Sequence, residues 1–173
     1  MSNLQPSSKE STKDKLFQLL LEEIHAYSYM VETVKQKQEA IIHNKLKEME
    51  NLTGVERLLV KKVEQMLESR EKYLRKLLGN AESDQPLQLN SFIEALPVEE
   101  QARWRSLQQR ISRTVDKIRR INLENHQLVQ SSLNYVRGVI DMLYAMDEEA
   151  VLYSRNGQEQ KTPLKKQVVN YNV

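Results

Sequence analysis

Apolar residues recur every three or four positions along three long stretches of the chain. This spacing places them on one face of an α-helix, and only four glycines and four prolines occur in the 173 residues. The stretches predict helices over about 12–43, 45–79 and 98–147. We therefore predict an all-α fold, an elongated antiparallel bundle or coiled coil of three long helices.

The boundaries between these helices carry different signals. Around 42–45 the apolar pattern shifts by one position without a glycine or proline, which favours a turn with Asn44 as the cap of the second helix, although one continuous helix stays open. Gly79 is a strong stop signal. The connection 80–97 predicts one short helix, and Pro97 followed by acidic residues is typical of a helix start.

The two ends of the chain lack the periodicity of its middle. Residues 1–11 are polar and contain a proline, which predicts a disordered N-terminus with Ser11 or Thr12 capping the first helix. The helical bundle is expected to cover 12–150. Residues 151–173 are predicted to form a flexible tail whose apolar and basic residues order on a partner.

Polar residues interrupt the apolar stripe of the last helix, in the segment INLENHQLVQSSLNYV. Asn125 and Ser132 fall on the packed side of the helix in either phase of the pattern. A single polar residue at such a position fixes the alignment of packed helices at some cost in stability. We therefore interpret both as structural. The acidic pair Glu22 and Glu23 is interpreted as part of a solvated helix face.

Composition argues against an enzyme. Cysteine is absent, which removes thiolate nucleophiles and cysteine zinc sites. The histidines, His25, His43 and His126, form no metal-binding pair, so no metal site and no cofactor are expected. Neither a signal peptide nor a membrane span is recognisable, because the first apolar cluster is interrupted by acids. We expect a cytoplasmic protein without membrane insertion.

Charge is balanced overall but not locally. The net charge is +2, whereas residues 101–121 carry seven basic side chains and one acidic one, and 141–150 carry only acids. A basic run can hold a phosphate backbone, although nucleic-acid binders usually add aromatic platforms or a known module. A solvated helix face is the favoured interpretation, and a basic helical nucleic-acid binder stays the less favoured alternative.

Several of these elements resemble the FlgN family of flagellar type III export chaperones. The pattern Ile-Asn-x-x-Asn-x-x-Leu begins at Ile121, and a Leu-Tyr-x-x-x-Gly element begins at Leu152. An apolar and basic terminus follows at 164–173. The order and spacing of these elements match the family over about residues 12–173.

The resemblance implies a cytoplasmic helical bundle that binds the C-terminal helical segments of the two hook–filament junction proteins, which are flagellar hook-associated proteins. Such a chaperone prevents premature assembly of these proteins and delivers them to the export gate. It needs no cofactor and no nucleic acid, and it is a monomer or small dimer when free. A self-associating coiled-coil scaffold is the main alternative.

The candidate binding surface is the end of the last helix together with the tail. An amphipathic substrate helix can lie against such an apolar surface. Tyr153 is the candidate for docking to the export gate or for closing over the substrate, although it can equally be a loop tyrosine packed on the bundle. The predicted substrate-binding residues are Val139, Leu143, Tyr144, Met146, Leu152, Leu164, Val168, Val169 and Tyr171.

Overall fold

A computed structural model describes residues 6–79 and 87–151, with side chains described for 9–79 and 87–145. Helices and turns account for this part of the chain, and no strand occurs in it. The predicted all-α class is therefore confirmed. The helices are α1 (Pro6–Ile42), α2 (Leu46–Leu78), α3 (Leu89–Glu94) and α4 (Val98–Val151).

Helix α1 begins earlier than the sequence pattern predicts. It starts at Pro6, so the predictions of disorder through residue 11 and of a cap at Ser11 or Thr12 are wrong for the described residues 6–11. Proline suits the first helical position because its fixed φ is already helical and its missing N–H would have had no partner there. Residues 1–5 lie outside the described part of the chain.

A turn, not a continuous helix, separates α1 from α2. The Lys45 N–H donates to the Ala40 carbonyl at 2.9 Å and the Asn44 N–H to the Ile41 carbonyl at 3.1 Å, which is the Schellman pattern of a helix end. Asn44 has a left-handed φ of 52°, which asparagine tolerates better than most residues. Asn44 therefore ends α1, and the prediction that it caps α2 is wrong, since Lys45 holds that position.

Helix α2 runs antiparallel to α1. The Arg70 guanidinium donates to Glu23 at 2.7 Å, and the Lys37 ammonium lies 2.5 Å from Glu56. Residue numbers therefore fall along one helix as they rise along the other. The hairpin ends at Gly79, whose left-handed φ of 74° and N–H bond to the Arg75 carbonyl close α2 as predicted.

Helix α4 runs parallel to α1 along its first part. Near its start the Lys13 ammonium lies 2.9 Å from Glu100, and further on the Asn125 amide donates to the Val34 carbonyl at 2.9 Å. Residue numbers rise together on the two helices, as expected when α2 and the short α3 lie between them in sequence.

The chain divides into two compact units, Met1–Val129 and Gln130–Val173. The sequence pattern predicts a single bundle over 12–150 instead. In the first unit, two clusters of buried apolar side chains join α1, α2 and α4, and one of them also includes α3. One cluster consists of Leu16, Leu20, Ile24, Leu74, Phe92, Ile93, Trp104 and Leu107. The other consists of Ala26, Met30, Val31, Val34, Leu59, Val63, Met66, Ile118 and Ile121.

Candidate functional site

The second unit exposes the last part of α4. Every described side chain from 130 to 145 is exposed, and apolar residues among them keep the spacing of three and four positions. Contiguous exposed apolar surface of this kind marks interaction sites in proteins. We call this surface the α4 apolar face, and it consists of Leu133, Val136, Val139, Ile140, Leu143 and Tyr144.

Three of the predicted site residues belong to this face. Val139, Leu143 and Tyr144 are 39%, 61% and 71% exposed, so their side chains are available to a partner. The side chain of Met146 lies outside the described residues. So do the remaining predicted site residues, which are Leu152, Tyr153, Leu164, Val168, Val169 and Tyr171.

Half of the residues in this face are absent from the sequence-based prediction of the site. Leu133, Val136 and Ile140 are not among the predicted site residues. Helix length was the missed signal: α4 has 54 residues, whereas α1 and α2 have 37 and 33. The apolar stripe of α4 is correspondingly longer than the stripes of α1 and α2.

The two polar residues assigned to the packed side of α4 have different environments. Asn125 is 5% exposed, and its Nδ2 donates to the Val34 carbonyl at 2.9 Å. A buried amide bonded to another helix fixes the alignment of the two helices, which agrees with its structural interpretation. Ser132 is exposed, so its assignment to the packed side is wrong; it follows Val129, after which every described side chain is exposed.

Glu23 is also in a different environment from the one predicted, which was a solvated helix face. Glu22 is exposed as expected, but Glu23 is fully buried. Its Oε2 accepts from Arg70 at 2.7 Å, whereas Oε1 has no hydrogen-bond partner among the described residues. Burial raises the pKa of Glu23, and the positive charge of Arg70 opposes that rise only in part. Burial and the charge of Glu23 also raise the pKa of Tyr27.

The buried Glu23 lies apart from the clefts of the first unit that the described residues form. Three open clefts in the first unit have volumes of about 340 to 440 Å³, and Glu23 lines none of them. Among the described residues, no three His, Cys, Asp or Glu side chains come together where they could hold a metal ion. The cleft nearest the hairpin turn is lined by Lys37, Ile41, Met49, Glu56, Asn122, Asn125, His126 and Val129.

The fold and its surfaces define a class of protein. A helical framework holds one long helix whose last part presents uncovered apolar side chains, which is the surface of a helical protein that binds other proteins. In the described part of the chain, no helix has both the length and the apolar character needed to cross a membrane.

Comparison with known proteins gives the family. The model of the FlgN protein family matches residues 12–161, which is most of the chain, so this protein belongs to the FlgN family, whose members act as flagellar export chaperones. No curated protein and no solved structure gives a significant match.

Proposed function

We propose that this protein is a cytoplasmic chaperone for the hook–filament junction proteins of the flagellum. It binds their C-terminal helical segments, prevents their premature assembly and delivers them to the type III export gate. It works as an elongated antiparallel bundle of three long helices. The observation that carries this proposal is the α4 apolar face in a chain of the FlgN family.

The chemistry of the α4 apolar face suits a helical substrate. Residues spaced like Leu133, Val136, Ile140 and Leu143 form one stripe along a helix, and a second amphipathic helix buries its own stripe against it. Full burial of one leucine side chain contributes about 1.5–3 kcal/mol. Several such contacts on each of the two stripes are therefore needed to supply micromolar binding after the cost of association is subtracted.

The tail is the second part of the proposed site. Residues 151–173 contain apolar side chains beside Lys165 and Lys166, and such a segment can order over a bound helix. Tyr153 is proposed as the contact with the export gate component, at the point where the tail begins. In this arrangement, one end of the chaperone holds the substrate and presents it for transfer.

A charge placed on the α4 apolar face tests the proposal. Leu143→Asp should weaken binding of a purified junction-protein C-terminal segment at least tenfold, because burying one leucine contributes more than the 1.4 kcal/mol that corresponds to this factor. Asn134→Asp introduces the same side chain at another exposed position of α4 and should change affinity less than about twofold. Isothermal titration calorimetry measures both.

Equal affinities for the two variants would remove the apolar face from the mechanism. A scaffold that self-associates through the same face is the alternative function, since coiled-coil helices also pair through apolar stripes. In that case Leu143→Asp would reduce the oligomer size of the free protein in solution, and a junction-protein segment would bind neither the unaltered protein nor the variant.

A further inference from the structure

A line of positive charge runs along the first part of α4, separate in sequence from the α4 apolar face. Five basic residues recur at spacings of three, four and seven positions, and all five are exposed. At 1.5 Å per residue the line is about 25 Å long. We call it the basic stripe, and it consists of Arg103, Arg110, Arg113, Lys117 and Arg120.

Most of this charge is not neutralised within the molecule. Among the described residues, no acidic side chain pairs with Arg110, Arg113 or Lys117. Arg120 lies at the long distance of 3.9 Å from Glu124. Arg103 lies with its guanidinium 3.8 Å from the centre of the Phe17 ring, a cation–π contact that leaves its charge in place.

The arrangement is unfavourable for the isolated helix. Arg110, Arg113, Lys117 and Arg120 follow one another at three or four positions, and like charges at these spacings destabilise a helix. Elsewhere in the molecule the same spacing joins opposite charges, as in Glu71 and Arg75. An acidic partner would turn this repulsion into attraction.

The geometry of the stripe favours a helix over a nucleic acid as that partner. Its charges repeat every seven residues, as at Arg103, Arg110 and Lys117, and flanking charges at this interval select partner helices in coiled coils. Proteins that bind single-stranded nucleic acids combine such charge with aromatic side chains on which bases stack. Trp104, the nearest aromatic residue on α4, is 3% exposed and packs edge-on against Phe17 and Phe92.

From these observations we propose that the basic stripe is a second docking surface, for an acidic amphipathic helix of a partner protein. Its contacts are charge pairs at the surface, so they speed association and contribute to affinity mainly at low salt. Binding through the stripe is therefore reversible and sensitive to salt. The α4 apolar face, which carries the proposed chaperone function, is not required for it.

Paired variants of the full-length protein test this surface. Arg110→Gln/Arg113→Gln removes two charges from the stripe, and Arg105→Gln/Arg119→Gln removes two exposed arginines from the other side of the same helix. The probes are a fluorescent helical peptide with glutamate at heptad-spaced positions and a single-stranded RNA of equal charge. Binding is followed by fluorescence anisotropy at about 50 and 200 mM salt.

The peptide should bind the unaltered protein with a dissociation constant in the micromolar range at low salt and at least tenfold more weakly at high salt. At low salt, the peptide should bind Arg110→Gln/Arg113→Gln at least tenfold more weakly than the unaltered protein. It should bind the control variant, Arg105→Gln/Arg119→Gln, less than about twofold more weakly. Equal losses in the two variants would show an effect of net charge alone and overturn the proposal. So would the absence of peptide binding, or tighter stripe-dependent binding of the RNA.

The two proposals fail independently. Leu143→Asp should leave peptide binding unchanged, because residue 143 is 23 positions beyond the last member of the stripe. If Leu143→Asp abolished peptide binding, the peptide would be using the α4 apolar face. The basic stripe would then have no docking function of its own.

Discussion

At the scale of single residues, the pair of Glu23 and Arg70 joins α1 to α2 through a buried carboxylate. The Glu23 side chain is 0% exposed, whereas 25% of the Arg70 side chain remains exposed. Removing a carboxylate from water is costly, and one nearby guanidinium offsets only part of that cost. The pair therefore contributes more to the alignment of α1 with α2 than to net stability.

The two partners should differ in what their loss costs. Arg70→Met leaves a charge buried without its partner and should reduce the free energy of unfolding at neutral pH by about 3 kcal/mol. Glu23→Gln removes the buried charge and lets Arg70 turn toward water, so its cost should be below about 1 kcal/mol. Urea unfolding of both variants measures these values, and equal losses would contradict the asymmetry.

The same pair predicts a pH dependence. Because burial raises the pKa of Glu23, the folded protein binds this proton more tightly than the unfolded chain does. Stability from this group is present below the ordinary pKa of 4.5 and is lost as pH rises through the folded value. The deficit of Arg70→Met relative to the unaltered protein should therefore grow as pH rises from about 4 to 7. Glu23→Gln has no such titration.

At the scale of elements, the turn between α1 and α2 decides the fold. The apolar pattern shifts by one position there, and the shift alone is compatible with either a turn or a continuous helix. The left-handed Asn44 and its Schellman hydrogen bonds reverse the chain, so that the two helices cover each other. A continuous helix would have left both apolar stripes exposed.

The glycine and alanine variants should have opposite orders of stability at Asn44 and at Asn51. At Asn44 the φ is 52°, so Asn44→Gly should be about 1 kcal/mol more stable than Asn44→Ala. Asn51 is exposed inside α2, where alanine should be more stable than glycine by about the same amount. Thermal unfolding of the four variants measures both differences. The same order at both positions would exclude a left-handed residue 44.

At the scale of the whole molecule, the stabilising core and the candidate binding surface belong to different compact units. Every member of the two apolar clusters lies at or before Ile121, whereas the α4 apolar face begins at Leu133. A binding surface outside the core can keep exposed apolar residues without loss of stability in the core. This separation allows the candidate surface to be altered without unfolding the core.

Removing residues 151–173 should therefore weaken capture of a junction-protein segment while leaving the midpoint of thermal unfolding within about 2 °C. Differential scanning calorimetry and affinity measurement on the same preparation check this.

Light scattering of the free, full-length protein should give a monomer or small dimer. Unchanged affinity would remove the tail from the mechanism, and large assemblies of the free protein would favour the scaffold.

The sequence by itself determined the all-α class, the helix stop at Gly79, the start of α4 after Pro97 and the family. These depend on local spacing, on backbone preferences of single residues and on short motifs, all of which can be read without knowing what packs where. Of the candidate surface, only Val139, Leu143 and Tyr144 are named by the sequence-based prediction.

Tertiary structure alone decided which side of each helix is covered. Glu23 is buried, although the local sequence predicts a solvated position. Ser132 is exposed, although the local sequence predicts a packed position. Tertiary structure also left the last part of the α4 stripe open, because periodicity gives the direction of a side chain and not the presence of a neighbour. Whether an apolar stripe becomes core or binding surface depends on how far the other helices extend beside it.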